Sequence, residues 1–504
     1  MTADSPRPAP ATRWAFLETT WGAAAPGLIV LFVLWVIAFL RIDFAAFTQK
    51  QIDELWQSLG SAALTEDPIG SIGAMHIQPP GMNVLYAIDL ALTPSRHLVL
   101  AAILLVTALG TVFLLVDTLR RFGVPGHWAA GAGLLYALLP STVIYALWAY
   151  VTSPLSFMTM AAVWGISYMS RSALIGSTCS AVAMLALVLT RPSFTWIVLV
   201  VWCALLIVLL LRRRRVQRVG LAVGLVTAAV VVGLAVQAHY FVSFGLPFMS
   251  SWSGENLGKS LAVSKSLVVT PEAEASLRED PCLSQMLDAY RADALNRWDD
   301  AAFRGLPACS TVTGLELRGE PAWDSPMKGG SANPNFNYAD RLVASAYWSR
   351  MMTVIVEHAP QQLVRMALTT DYGPHGSGVG LYLSPPEDYP FVKPIRDSLP
   401  TAVPGGFLSL LLAPVLFALV FVGILRAAFV RRSRLRCSAP FWFSAGLVLF
   451  HMATNTLAEY SENMRYQAEI DAVLLAAGMM VLFDLLRPVG EESPREATAP
   501  QEVA

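Results

Sequence analysis

Carboxylates and arginines recur in this chain beside the ends of long apolar runs, a placement suited to chemistry at a membrane surface. Asp43 stands in FLRIDFAAF, flanked by Arg41 and the aromatic Phe44 and Phe47. Asp53 and Glu54 follow in TQKQIDELWQSLG, where Ile52, Leu55, Trp56 and Leu59 make the apolar stripe of an interfacial helix. His76 and Gln78 lie in HIQPPG, and Arg191 lies in LTRPSF. AEYSENMRYQAEID brings Glu459, Glu462, Arg465, Tyr466, Glu469 and Asp471 to the mouth of the last apolar run. A boundary aspartate can take the proton of an attacking hydroxyl, and arginine forks grip phosphate. The set therefore suits displacement at the anomeric carbon of a lipid-phosphate sugar, with Asp43 as general base and Glu54 as the alternative. Arg465 and Arg191 would hold the phosphate, and His76, Gln78, Glu462 and Tyr466 the substrate. The competing reading makes Asp43 a solvated helix cap, which is the stronger one on pattern alone. It makes each arginine a snorkelling side chain.

These residues need elements that carry them to one surface. Of 504 residues, 55% are hydrophobic and 14% charged, and the mean hydropathy is +0.53. Soluble domains carry roughly 25% charged residues. A soluble chain would have too much apolar surface to hide, so the bilayer is its solvent. A net charge of -1 argues against a nucleic-acid partner, which needs a concentrated basic face. Apolar runs fall at 22–41, 97–116, 128–147, 153–169, 173–190, 193–211, 219–238, 405–426, 440–457 and 468–486, ten in all. Each is about long enough to cross a ~30 Å hydrocarbon core. The segment 81–92 is too short and reads as a re-entrant or interfacial helix.

Arg7 and Arg13 precede the first run. Further arginines follow the second (Arg120, Arg121), the fourth (Arg171), the sixth (Arg212 to Arg215, Arg218) and the eighth (Arg426, Arg431, Arg432, Arg434, Arg436). If the spans alternate, every cluster lands on one side, the cytoplasm, and both termini with it. The first run is no cleavable signal, because it is too long and IAFLRID offers no small-residue site. The chain then divides into a tail (1–21), spans one to seven (22–238, with an outer loop at 42–96), an outer domain (239–404), spans eight to ten (405–486) and a disordered tail (487–504). The outer domain is expected to hold helices around 283–304 and 338–369. Cys282 and Cys309 both fall there and suit a disulfide in an oxidising space, against the alternative of two free thiols. GPHGSGVG, from Gly373 to Gly380, lacks the Lys-Ser/Thr ending of a phosphate loop and reads as a flexible turn.

Within the spans, His451 and Asn455 are the main polar residues, with Asp484 and Asp471 near opposite ends. A coupled transporter needs more charge at mid-membrane, and no internal repeat of the transporter kind is visible. A flippase for a lipid-linked glycan and a non-catalytic scaffold are the alternatives to an enzyme.

In their order and common side of the membrane, these segments resemble the type C glycosyltransferases. Within them they are closest to the protein O-mannosyltransferase and lipid A aminoarabinose transferase group (glycosyltransferase family 39-like). Asp43 is similar to that group's catalytic aspartate in the first outer loop, and HIQPPG to its His/Lys-Pro-Pro segment. ALLPSTVIYALWAYVTSPLSF resembles its third-to-fourth span hairpin, and ENMRYQAEID its Glu-x-x-Arg-Tyr segment. The family's Asp-Glu pair is Asp43-Phe44 here, and AYVTSPLSF lacks an acidic residue found there in relatives. The resemblance implies an all-α polytopic membrane fold of about ten transmembrane helices with a mixed, mainly helical extracytoplasmic domain. It implies a bacterial cell-membrane location, a polyprenyl-phosphate sugar as donor, membrane lipids as surroundings, and a glycan, lipid or protein acceptor. It leaves a divalent metal open, with no ligand set legible in the chain.

Overall fold

Inside hydrocarbon a single segment satisfies all its backbone groups only as a helix, and the apolar runs of this chain fold accordingly. The computed structural model describes residues 15–54, 58–75, 78–212, 219–244, 249–250, 269–292, 305–310, 316–317, 320–321, 405–431, 433–458 and 469–486. The first half holds α1 (Thr20–Phe39), α2 (Phe44–Glu54), α3 (Ser61–Glu66), α4 (Pro68–Ala74), α5 (Gly81–Leu92) and α6 (Leu98–Phe122). It continues with α7 (Gly126–Leu138), α8 (Pro140–Leu147), α9 (Thr152–Tyr168), α10 (Ala173–Val188), α11 (Trp196–Arg212) and α12 (Val219–Phe244). Beyond lie α13 (Pro271–Arg278), α14 (Pro281–Arg291), the strands β1 (Glu316–Leu317) and β2 (Glu320–Pro321), α15 (Gly405–Phe429), α16 (Ala439–Ala458) and α17 (Asp471–Leu486).

This is a polytopic, all-α membrane protein, and every apolar run coincides with a helix or a helix pair. Their lengths are less even than the runs. Thr20–Phe39, Leu98–Phe122, Val219–Ser243 and Leu412–Phe429 are each long and apolar enough to cross alone. The run 128–147 breaks into α7 and α8 with a 57° bend. Pro140 causes the break: it opens α8, and Leu139 before it is extended, as a residue preceding proline prefers. Helices α10 and α17 have 16 residues and α9 and α11 have 17, so they rise about 24–26 Å, less than a ~30 Å core.

Two ends are distinct. At the basic end, Arg120 reaches the Glu18 carbonyl at 2.7 Å, and Arg121 meets Asp117 at 2.6 Å beneath the Tyr168 ring. Asp484 there accepts from Arg426 Nε at 2.6 Å, Ser433 Oγ at 2.9 Å and the Arg434 amide at 3.0 Å. The start of α1 and the ends of α6, α9, α15 and α17 therefore share one surface, as alternation requires. At the opposite, loop end, the 12-residue α5 buries Met82, Tyr86, Asp89 and Leu90 and lies against α6. Helices α9 and α10 approach so closely that a Cβ on Gly165 would stand 2.5 Å from the Gly176 carbonyl.

In the segment expected to form an outer domain, α14 covers the start of the expected helix at 283–304. Helix α13, capped by Thr270, was not foreseen. Cys282 and Cys309 form a disulfide with Cα atoms 4.7 Å apart, and β1 and β2 pair antiparallel. The helix expected at 338–369, the glycine turn at 373–380 and the tail 487–504 lie outside the described residues.

Candidate functional site at the loop end

Asp43 opens α2. Its exposed carboxylate accepts the Ala46 amide at 3.1 Å, so it caps the helix that follows rather than the span before it. Along α2, Phe44, Thr48, Gln51 and Ile52 are buried. Gln51 Oε1 accepts the Ala149 amide at 3.0 Å, and the Ala149 carbonyl accepts the Tyr86 hydroxyl at 2.5 Å. Asp53 takes Gln49 Nε2 at 2.6 Å and the Ser61 amide and hydroxyl at 3.1 and 2.8 Å, which makes it a structural acceptor. Glu54 is the last residue of α2, and the conformation of its side chain lies outside the described residues.

Of HIQPPG, His76 lies outside the described residues. The half-buried Gln78 accepts the Tyr240 hydroxyl on its carbonyl at 3.0 Å. Three residues on, the Gly81 amide donates to the Leu189 carbonyl at 2.6 Å. A Cβ at Gly81 would collide with Thr190 Oγ1. This close approach seats the start of α5 beside Arg191. Arg191 does not snorkel: it is buried and pairs with the buried Glu469 at 3.3 Å. Thr159 of α9 donates to the Glu469 carbonyl at 2.8 Å. Glu462, Arg465 and Tyr466, just before Glu469 in the chain, lie outside the described residues.

Two residues past Glu469, Asp471 contributes to a small cleft, with room for about one water molecule, between α6, α7, α8, α9 and α17. Tyr136, Ser141, Thr142, Tyr145, Thr152, Ser153 and Ser156 also line it. The structure thus joins the regions of Gln78, Arg191 and Glu469 and ties α2, which Asp43 caps, to the α8–α9 turn. Asp43 itself is not among the residues lining the cleft.

The sequence reading missed a polar relay beneath α2. Buried Asp89 meets His97 Nδ1 at 2.6 Å, and His97 Nε2 contacts Gln49 Oε1 at 3.1 Å. Asp89 also accepts Thr93 Oγ1 and the Leu100 amide, both at 2.9 Å. His97 alone among the described non-glycine residues has positive φ, 51°. A signal was present, because Asp89 is the sole charge in GMNVLYAIDLAL and a buried carboxylate needs partners. Among the described residues, no group of three or more His, Cys, Asp or Glu side chains is placed to hold a metal ion.

No family model and no curated protein matches the chain. Two solved structures are similar: ArnT from Cupriavidus metallidurans in the apo state, and the same protein bound to undecaprenyl phosphate. Each has 12% identity and a TM-score of 0.30. The alignments cover 90% and 92% of this chain and 76% and 78% of those chains. At that level of likeness no residue role passes from one chain to the other.

Proposed function

We propose that this protein is a membrane glycosyltransferase that moves a sugar from a polyprenyl-phosphate donor to an acceptor hydroxyl at the loop end, outside the cell membrane. One observation carries the reading: segments far apart in sequence, each with polar or charged chemistry, meet at a single end of an apolar bundle. Helix α2 is bonded to the α8–α9 turn, α5 to the exit of α10, and α9 to the entry of α17. Gly81 of HIQPPG, Ala149 of the third-to-fourth span hairpin and Glu469 of ENMRYQAEID, all in segments that carry the sequence resemblance, make these bonds. The disulfide between Cys282 and Cys309 supports an oxidising compartment for that side of the chain.

In this reading Asp43 takes the proton of the acceptor hydroxyl as the bond between the anomeric carbon and the phosphate oxygen breaks. Glu54, at the other end of α2, is the alternative base. Arg191 and Arg465 supply the positive charge that the departing polyprenyl phosphate requires. At Arg191 a phosphate has to compete with Glu469. His76, Gln78, Glu462 and Tyr466 are the remaining candidates for substrate contact.

The test is Asp43→Asn. Asparagine caps a helix about as well as aspartate, so the Ala46 contact and the fold persist while the base is lost. Transfer from polyprenyl-phosphate sugars in isolated membranes is expected to fall ~10²–10⁴-fold, the usual contribution of a general base, at an unchanged melting temperature. Transfer at the wild-type rate would remove Asp43 from the mechanism and move the base to Glu54.

A further inference from the structure

Asp43 caps α2, so whatever fixes the rotation of that helix also fixes the base of the proposed reaction. Two contacts on opposite flanks do so, because residues two apart on a helix stand about 200° apart around its axis. On one flank Gln51 Oε1 accepts the Ala149 amide at 3.0 Å. On the other, Gln49 Oε1 meets His97 Nε2 at 3.1 Å. His97, 1% exposed, is held in turn by Asp89, 0% exposed.

The hydrogen-bond network fixes the protonation of His97, working inward from its far end. Asp53, already an acceptor for the Ser61 amide and hydroxyl, takes Gln49 Nε2 at 2.6 Å. With its nitrogen committed there, Gln49 presents its oxygen to His97, and that oxygen only accepts. His97 Nε2 must therefore carry a proton. Asp89 Oδ1 accepts Thr93 Oγ1 and the Leu100 amide, and its Oδ2 lies 2.6 Å from His97 Nδ1. The second ring nitrogen donates as well, which makes His97 an imidazolium. Lys50 on α2, Glu66 on α3, Asp67 at the start of α4 and Arg96 beside His97 are all exposed, so the buried counter-charge is Asp89. A neutral ring with its proton on Nδ1 would turn a lone pair toward Gln49 Oε1, and the link to α2 would fail. The backbone of His97, at φ 51°, would suit glycine or asparagine equally. The two bonds of the ring account for the histidine.

We propose that His97 is a positioning residue of the site: its imidazolium ties α2 to Asp89 and so fixes where Asp43 stands. The proposal rests on the reading of Asp43 as the base of the transfer reaction.

Two variants cut the link from its two sides. His97→Asn tolerates the same backbone and keeps an N–H for Asp89, but is too short to reach Gln49. Gln49→Met leaves the Asp89–His97 pair intact. In the full-length protein in nanodiscs, each should lower kcat for transfer from a polyprenyl-phosphate sugar about ten- to a hundredfold, the order of loss from a misplaced catalytic group. KM for that donor should not change, and the two variants combined should lose no more than one alone. In an Asp43→Asn background neither should slow transfer further, because a residue that acts through Asp43 has nothing left to position. Nitrogen NMR of histidine-labelled protein at neutral pH should show two protonated ring nitrogens in the signal that His97→Asn removes. Hydrogen exchange across 44–54 should quicken in both variants. Wild type that transfers no sugar, or Asp43→Asn that transfers at the wild-type rate, would overturn the reading of the reaction. The NMR and exchange measurements need no sugar and still decide whether His97 holds α2. A neutral His97, unchanged exchange, an unchanged kcat, or the same fold-loss with and without Asp43 would overturn the role of His97 alone.

Discussion

The pairing of Arg191 with Glu469 shows how a single residue can join folding to function. Both side chains are almost fully buried, at 4% and 0% exposure, inside a bundle with few other charges. Removing one partner strands the other in low dielectric, which typically costs about 3–5 kcal/mol, whereas replacing both with apolar residues of similar volume is often neutral. Arg191→Ala and Glu469→Ala should therefore each lower the melting temperature in detergent sharply. The double replacement Arg191→Met with Glu469→Leu should recover most of the loss. Equal melting temperatures for all three would mean that the pair does not hold α17 to the exit of α10. The recovered double variant should still be inactive, since it retains stability without the guanidinium. Asp43 is the opposite case, an exposed helix cap whose bond to the Ala46 amide asparagine is expected to keep.

Among elements, α13 and α14 are joined by charge across a short turn, while the disulfide ties the start of α14 to Cys309. Glu274 meets Arg278 and Arg291, each at 2.8 Å, and Arg278 reaches Asp288 at 2.9 Å. Hydrogen bonds from Arg291 and then Arg278 hold the Glu274 carboxyl at about 2, against an ordinary 4.5. The Arg278 bond also lowers Asp288. A carboxyl lowered in the folded state stabilises above its unfolded pKa, and the stabilisation fades as pH falls through the folded one. The helix pair should thus hold its full stability above about 4.5 and lose this contribution between there and about 2. Hydrogen exchange across 271–291, corrected for intrinsic rates, should show protection falling over that interval. The loss will be modest because the cluster is solvent-exposed. Protection that stays flat would assign the helix contact to buried Leu277, Leu283 and Leu287 instead of the charges.

For the whole molecule, the two ends lead to a prediction of sidedness. Cys437 is a free, exposed cysteine in the short helical turn Arg434–Cys437 of the basic end. Gly305 is exposed near the disulfide. In intact cells an impermeant maleimide should modify Gly305→Cys and leave Cys437 unmodified until the membrane is opened. Modification of both from outside would break the alternation of spans and with it the placement of the proposed site.

Fold class was legible in the sequence because it depends on the period and length of apolar runs and on where the arginines fall, which are properties of the chain alone. The runs marked the helices, and the arginine clusters marked the end where Arg120, Arg426 and Asp484 meet. The break at Pro140 was also written locally, although the run was read as one helix. What the sequence did not determine was partnership. It made Arg191 a headgroup-facing cation or a phosphate fork, and only packing turned it inward to Glu469, 278 residues away. It offered Asp89 and His97 as scattered polar residues, and the turn between α5 and α6 made them a buried pair. The cleft is the extreme case, since its walls come from five helices and no window of sequence contains them. Burial and pairing depend on contacts between distant segments, and those exist only after the helices have packed.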